Sequence, residues 1–235
     1  MRQAARRPFA LAVMMLVAGF VTGCNDEPTQ RKAFIDFLQT RIIDKPGLHV
    51  PHPTPDEAKS FGDYAKQYAI ITDFNDGLDQ SVARPMAEAI NHGAIHAIDD
   101  VITRHADFVA ARDGMTQLRA ALDKQLAAAD TAHAALKQPD DLKLVFDKAY
   151  ERDVTIPAKA FADIFPDLSQ ALTAIVDLGD FLGQHKDKVS INGTVLQTSD
   201  PALQPQLQAL LDALIAKNEA IGKAQQHLRA VMNGS

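Results

Sequence analysis

VITRHADFVAARDGMTQLRAALDKQLAAADTAHAALK, residues Val101 to Lys137, is the stretch on which the fold turns. Phe108, Met115, Leu122, Ala129 and Leu136 recur every seven residues, and Ala111, Leu118 and Ala132 fill the complementary positions. Gln125 is the polar exception. A repeat of that length on a helix presents a continuous apolar seam that only another helix can cover. The C-terminal segment supplies a second seam. Leu207, Leu214, Ile221 and Leu228 form one series, Leu203, Leu210, Ala224 and Val231 the other, and Lys217 is out of pattern. The helix carrying them is expected from Asp200-Pro201 to about Val231. Two long seams in one chain predict an all-α fold, an antiparallel bundle of long, partly kinked helices. Heptads also serve self-association, but a chain of 235 residues needs these faces for its own core.

Outward from these seams, Ala and Leu are abundant and β-branched runs scarce, which favours helix over sheet. A first helix is expected from Gln30 to Ile43, with Phe34, Phe37, Leu38 and Ile42 on one face, ending before Pro46-Gly47. Pro51, Pro53 and Pro55 make the next segment an extended connector. Thr54-Pro55-Asp56-Glu57 is a helix start, followed by Phe61, Tyr64, Tyr68, Ile71 and Leu78 at three-four spacing. Asn75-Asp76-Gly77 is a candidate interruption, Pro85 should kink or end that helix, and Gly93 marks a break beyond about Asn91. Pro139-Asp140-Asp141 begins a shorter helix carrying Leu142, Val145, Phe146 and Ala149. Pro157 opens another, which Pro166 bends before Leu168, Leu172, Ile175 and Leu178. Val189 to Gln197 is the one β-like element, a hairpin turning at Asn192-Gly193; the glycosylation match Asn192-Gly193-Thr194 is incidental.

The first 24 residues carry an address. Arg2, Arg6 and Arg7 precede the apolar run FALAVMMLVAGF from Phe9 to Phe20. As a helix that run reaches about 18 Å, short of the roughly 30 Å hydrocarbon core of a bilayer, so it reads as a signal segment. Arg6-Arg7 also has the look of a twin-arginine export signal, although paired arginines are common in ordinary signals. Val21-Thr22-Gly23-Cys24 resembles a bacterial lipobox. The resemblance implies cleavage before Cys24, a diacylglyceryl thioether on its sulfur and acylation of its amino group. Cys24 is the only cysteine, so no internal disulfide exists. The organisation expected is a signal over 1–23, a lipidated tether over 24–29 and a helical domain over 30–235. The partner implied first is the membrane, reached through the lipid, with the body facing the periplasm. Asn25, not Asp, follows the cysteine, which favours the outer membrane over the inner.

The chain resembles the YiaF-like family of envelope lipoproteins, a domain family of unknown function. The resemblance rests on Gln30-Arg31-Lys32-Ala33-Phe34-Ile35-Asp36-Phe37-Leu38-Gln39, on Phe61-Gly62 with Tyr68-Ala69-Ile70, and on Ala132-His133 followed by Leu136-Lys137-Gln138-Pro139-Asp140-Asp141-Leu142-Lys143 and Val145-Phe146-Asp147. The family implies a lipid-anchored periplasmic protein and brings no catalytic residues.

Candidate chemistry is sparse. His92 and His96 are four apart, followed by Asp99, Asp100 and His105, and two histidines on one helical face with a carboxylate can bind zinc. Gly93 weakens the helix that spacing requires, and solvated polar residues at a helix junction explain the set equally well. Asp140 and Asp141 suggest paired carboxylates, yet their place after Pro139 fits N-capping better. His133 lies beside the seam, placed to hydrogen-bond a neighbouring helix. Gly179 and Gly183 fit close helix packing. No nucleophile or phosphate-loop pattern occurs, and no cofactor is expected. The net charge of −6 disfavours nucleic acid. These observations favour a non-enzymatic scaffold that docks an envelope protein. The alternative is a module that holds a small molecule or lipid between its helices.

Overall fold

The computed structural model describes residues 26–92, 95, 97–192 and 195–234. The signal and lipobox readings, Val21, Thr22, Gly23 and Cys24 among them, lie outside the described residues. Within them the fold is helical with one hairpin, as the seams predict. In chain order the elements are α1 (Glu27–Leu38), α2 (Pro55–Phe61), α3 (Tyr64–Leu78), α4 (Arg84–His92), α5 (Asp100–Thr103), α6 (His105–Ala134), α7 (Asp140–Tyr150), α8 (Ile156–Gln184), β1 (Val189–Asn192), β2 (Val195–Thr198) and α9 (Gln204–Asn233). α1 starts three residues before the expected Gln30, because Pro28 in a first turn forgoes an N–H that has no helical partner there.

The main departure from expectation is at the prolines. Three π-turns, Gln39–Ile43, Asp79–Ala83 and Glu151–Thr155, continue α1, α3 and α7 directly. Pro157 was expected to open a new helix, and Pro85 to kink or end its own before helix resumed to about Asn91. The helix is continuous through both, from 64 to 92 and from 140 to 184, so Pro157 opens nothing new. Each of these prolines follows a π-turn whose closing bond spans five residues, Arg84 N–H to Asp79 O and Ile156 N–H to Glu151 O. The wider turn relieves the collision between a proline ring and the carbonyl four residues back. That carbonyl, Asp153 O for Pro157, lacks its usual helical donor and accepts from Asn75 Nδ2 at 2.9 Å instead.

Asn75-Asp76-Gly77 does not interrupt α3 either. Gly77 lets α6 approach, since a Cβ there would lie 2.6 Å from Gln125 Oε1. Gln125, the polar exception in the seam, packs against that glycine and donates to Ser81 Oγ at 3.4 Å. The expected 101–137 helix is broken at Arg104, whose backbone leaves the helical region (φ −115°, ψ 21°), and α6 ends at Ala134.

The seam of α6 is the core. Phe108, Met115, Leu122 and Ala129 are all buried. Contacts fix the directions. His105 meets Asp180 and Arg119 reaches Ala162 O, so α6 and α8 are antiparallel. Lys217 bonds to Gln170 while Ile221 faces Leu168, so α9 is antiparallel to α8. Phe34 centres an aromatic cluster, with the rings of Phe61, Tyr64, Tyr68 and Phe146 all within 6.4 Å of its own.

α9 starts at Gln204-Pro205, later than the expected Asp200-Pro201, whose Asp200 instead accepts the Ala202 N–H of the preceding turn. Leu207 is buried, whereas Leu210, Leu214, Ile221 and Leu228 are half-buried, because α9 lies along α8 at the edge of the bundle. Its far end is held by the Pro46-Gly47 turn. Leu48 N–H donates to Met232 O at 3.0 Å, and Gly47 (φ 69°) packs directly on Gly234 (φ 73°), with no room for a Cβ on either.

β1 and β2 pair antiparallel with Ile191 opposite Leu196 and Asn192 opposite Val195. Asn192 is therefore a paired strand residue and not the first turn residue of the expected Asn192-Gly193 hairpin; 193 and 194 lie outside the described residues. The base sets this register. Ser199 N–H donates to Lys188 O at 2.8 Å and Lys188 pairs with Asp200 at 2.7 Å, while Ile191 and Leu196 share the inner face.

Candidate functional site

The histidines weighed as candidate zinc ligands are not brought together among the described residues. α4 carries the His92 backbone, and His96 lies outside the described residues. His105 begins α6 and sits 3.0 Å through Nε2 from Asp180 Oδ1 on α8, so its carboxylate neighbour is neither Asp99 nor Asp100. Asp100 accepts from Ala97 N–H and lies 4.0 Å from Arg104. Among the described residues no group of three or more His, Cys, Asp or Glu is arranged to hold a metal ion. Gly179 serves close packing as expected, because a Cβ there would lie 2.5 Å from the His105 ring and 2.8 Å from Val101 O. Gly183 does not; the space beside it is open.

His133 does bond across helices. Its Nε2 lies 2.8 Å from Asp147 Oδ1 on α7, and Lys143 Nζ meets the same carboxylate at 2.7 Å. Burial pushes the Asp147 carboxyl up, but the hydrogen bonds from Lys143 and His133 outweigh it and hold the carboxyl below its ordinary range. The His133 ring stacks on Tyr150 with centroids 4.0 Å apart, and Tyr150 Oη donates to Asp130 at 2.6 Å. Burial, then that bond, drives the Tyr150 phenol upward. The network cross-ties the α6–α7 turn at two levels. Asp140 and Asp141 occupy the first turn of α7 and Pro139 stands at the cap position, so they favour the helix dipole in place of capping it. Asp141 accepts the Leu142 N–H and lies 3.5 Å from Arg31 on α1.

A third group has no counterpart in the sequence reading. Asp153 is fully buried, and neither carboxylate oxygen makes a hydrogen bond of ordinary geometry. Burial pushes its carboxyl up to about 7, against the opposing pull of the His49 N–H and the Arg152 guanidinium. Glu151-Arg152-Asp153 reads in sequence as a solvated charge run; the π-turn carries the last of the three inward. Pro157, four residues on, is the available signal that this turn is not ordinary helix. Arg152 donates through Nη2 to the carbonyls of Lys45 and Gly47, while its Nε is buried without a partner.

An apolar cavity of about 80 Å³ lies between α4, α6, α8 and α9, lined by Ala89, Met115, Leu168, Ala171, Leu172, Ile175 and Ile221. The two alanines leave the space that larger side chains would fill.

Residues 11–229 match the model of a family described as "Protein of unknown function (DUF3053)". The chain is 34% identical over 224 residues, 93% of each chain, to proteins named "Uncharacterized protein YiaF" from Escherichia coli (strain K12), Escherichia coli O157:H7 and Shigella flexneri. No solved structure matches. The expected YiaF-like resemblance therefore holds across nearly the whole length, and the chain belongs to the DUF3053 family of proteins of unknown function.

Proposed function

We propose that this is a lipid-anchored, periplasm-facing envelope lipoprotein whose helical body acts as a non-enzymatic docking or scaffold module, at the outer membrane in preference to the inner. The observation that carries the reading is the N-terminal arrangement of Arg2, Arg6 and Arg7, the apolar run Phe9 to Phe20, and Val21-Thr22-Gly23-Cys24. Two or three acyl chains hold a protein stably at a bilayer where one does not, at about 0.8 kcal/mol per buried methylene. Among the described residues no helix is long and apolar enough to cross a membrane, so the reading assigns attachment to the lipid. Metabolic labelling with an alkyne-tagged fatty acid, mass spectrometry of the mature N-terminus and density-gradient fractionation of Cys24→Ser test it. Label on the wild type and release of Cys24→Ser from the membrane fraction are expected; an unmodified Cys24 sulfur overturns it. Crosslinking of the anchored protein in whole envelopes then tests for a docked envelope protein.

The apolar cavity favours a second reading, a module for a small apolar molecule. Its roughly 80 Å³ holds only a few carbon atoms, whereas ligand sites usually offer about 300 Å³ or more. A bound alkyl chain would have to displace α9. A thermal-shift series with fatty acids of increasing length separates this reading from the first.

A further inference from the structure

We infer that Arg152 and Asp153 form a proton-controlled latch, which ties the C-terminal end of α9 to the bundle and tightens on acidification.

The inference starts from how that end is held. Arg152 clamps the Lys45 and Gly47 carbonyls, fixing the Pro46-Gly47 turn. The turn in turn holds the end of α9 by the Leu48 N–H bond to Met232 O and by the Gly47–Gly234 contact. Beyond the buried Leu207 the described seam positions of α9 are half-buried against α8, so this clasp adds to what fixes its last turns.

Beside Arg152 sits a fully buried carboxyl whose one hydrogen-bonding neighbour, the His49 N–H, falls outside ordinary geometry. Of the groups that face it, only the His49 N–H serves it while the clasp is closed. Tyr68 on α3 donates its hydroxyl to Pro51 O. Arg41, beyond Tyr68, is paired with Glu57. The connector offers the His49 N–H. Glu151 is exposed, and His227 of α9 lines the groove on the far side of Arg152. Arg152 is the nearest cation, and its Nε is buried and unused. A neutral Asp153 lets Arg152 stay on the two carbonyls. An ionised Asp153 needs compensation beyond the single His49 N–H, which Arg152 or entering water supplies, and either route loosens the turn. Because the closed state binds the proton more tightly than an open, hydrated one, opening grows by up to about tenfold per pH unit between roughly pH 4 and 7, then levels off.

Amide hydrogen exchange on the full chain at pH 5 and pH 7, corrected for intrinsic rates, reads the latch at the Leu48 amide and at the last turn of α9. Wild-type protection at Leu48 should fall by up to about 50-fold from pH 5 to pH 7. In Asp153→Asn it should not change with pH, which separates Asp153 from His49 and His227, both still present in that variant. Arg152→Met should leave Leu48 weakly protected at both pH values while α8 amides keep their protection. Equal wild-type protection at both pH values, or a fully protected Leu48 in Arg152→Met, overturns the latch. If Asp153→Asn fails to fold, the wild type and Arg152→Met decide alone.

Discussion

Replacing Asp153 by Asn should stabilise the whole protein at neutral pH, and by an amount the structure bounds. The carboxyl titrates near 7 in the folded chain against an ordinary 3.8. The folded pKa is the higher one, so the unfolded chain releases this proton first. Stability is greatest below about pH 4, falls as pH climbs from about 4 to 7, and is flat above. A displacement of about three pH units at 1.36 kcal/mol each sets a ceiling of about 4 kcal/mol at pH 7.5, reduced by whatever water and local rearrangement reach the site. That is a large share of the roughly 5–15 kcal/mol by which domains are stable. Asn has nearly the same shape and does not ionise. Urea unfolding followed by circular dichroism at pH 4.5, 6 and 7.5 is the assay. The midpoint of Asp153→Asn should exceed the wild type at pH 7.5 with an unchanged slope, and the two should converge at pH 4.5. A variant destabilised equally at all three pH values refutes the reasoning, because it would mean that Asp153 is ionised and well served.

Gly179→Ala should cost about 1–3 kcal/mol, since the new methyl meets the His105 ring and the Val101 carbonyl. Gly183→Ala, in open space on the same helix, should gain up to about 1 kcal/mol; paired thermal melts check both. Phe34→Ala should cost about 3–5 kcal/mol, as it empties the centre of the cluster formed with Phe61, Tyr64, Tyr68 and Phe146, measured by denaturant midpoint. Asp147→Asn should weaken the tie to His133 and Lys143 at neutral pH and make no difference in strong acid, where the depressed carboxyl of the wild type is itself protonated. Its midpoint across pH 2–7 is the check.

How much of this could be read from residues alone depended on periodicity. The heptads of Phe108 to Ala129 and the helix start at Thr54-Pro55 were legible because each is a local pattern with one structural meaning. Pro157 misled for the same reason. A proline states that an ordinary helix cannot continue, and says nothing of a wider turn built just upstream. Gly77 looked like a breaker because its purpose, admitting Gln125, belongs to a residue of another helix far along the chain. His133 was placed correctly beside its seam, and its partner Asp147 already stood in the family blocks. Asp153 was invisible because burial is a property of the packed turn, and two charged neighbours disguised it. The lipid-anchor reading belongs to the N-terminal segment and rests on that pattern alone.

The run of helix from 140 to 184 has a mechanical consequence. At about 1.5 Å per residue it is a strut of roughly 67 Å, tied near its start to α1 by Arg31 and Asp141 and ending at the hairpin. A tug where the polypeptide enters the body would travel down this strut as an axial load. The five-residue hydrogen bond from Ile156 to Glu151, about a third of the way along, is the joint where such a load would first yield.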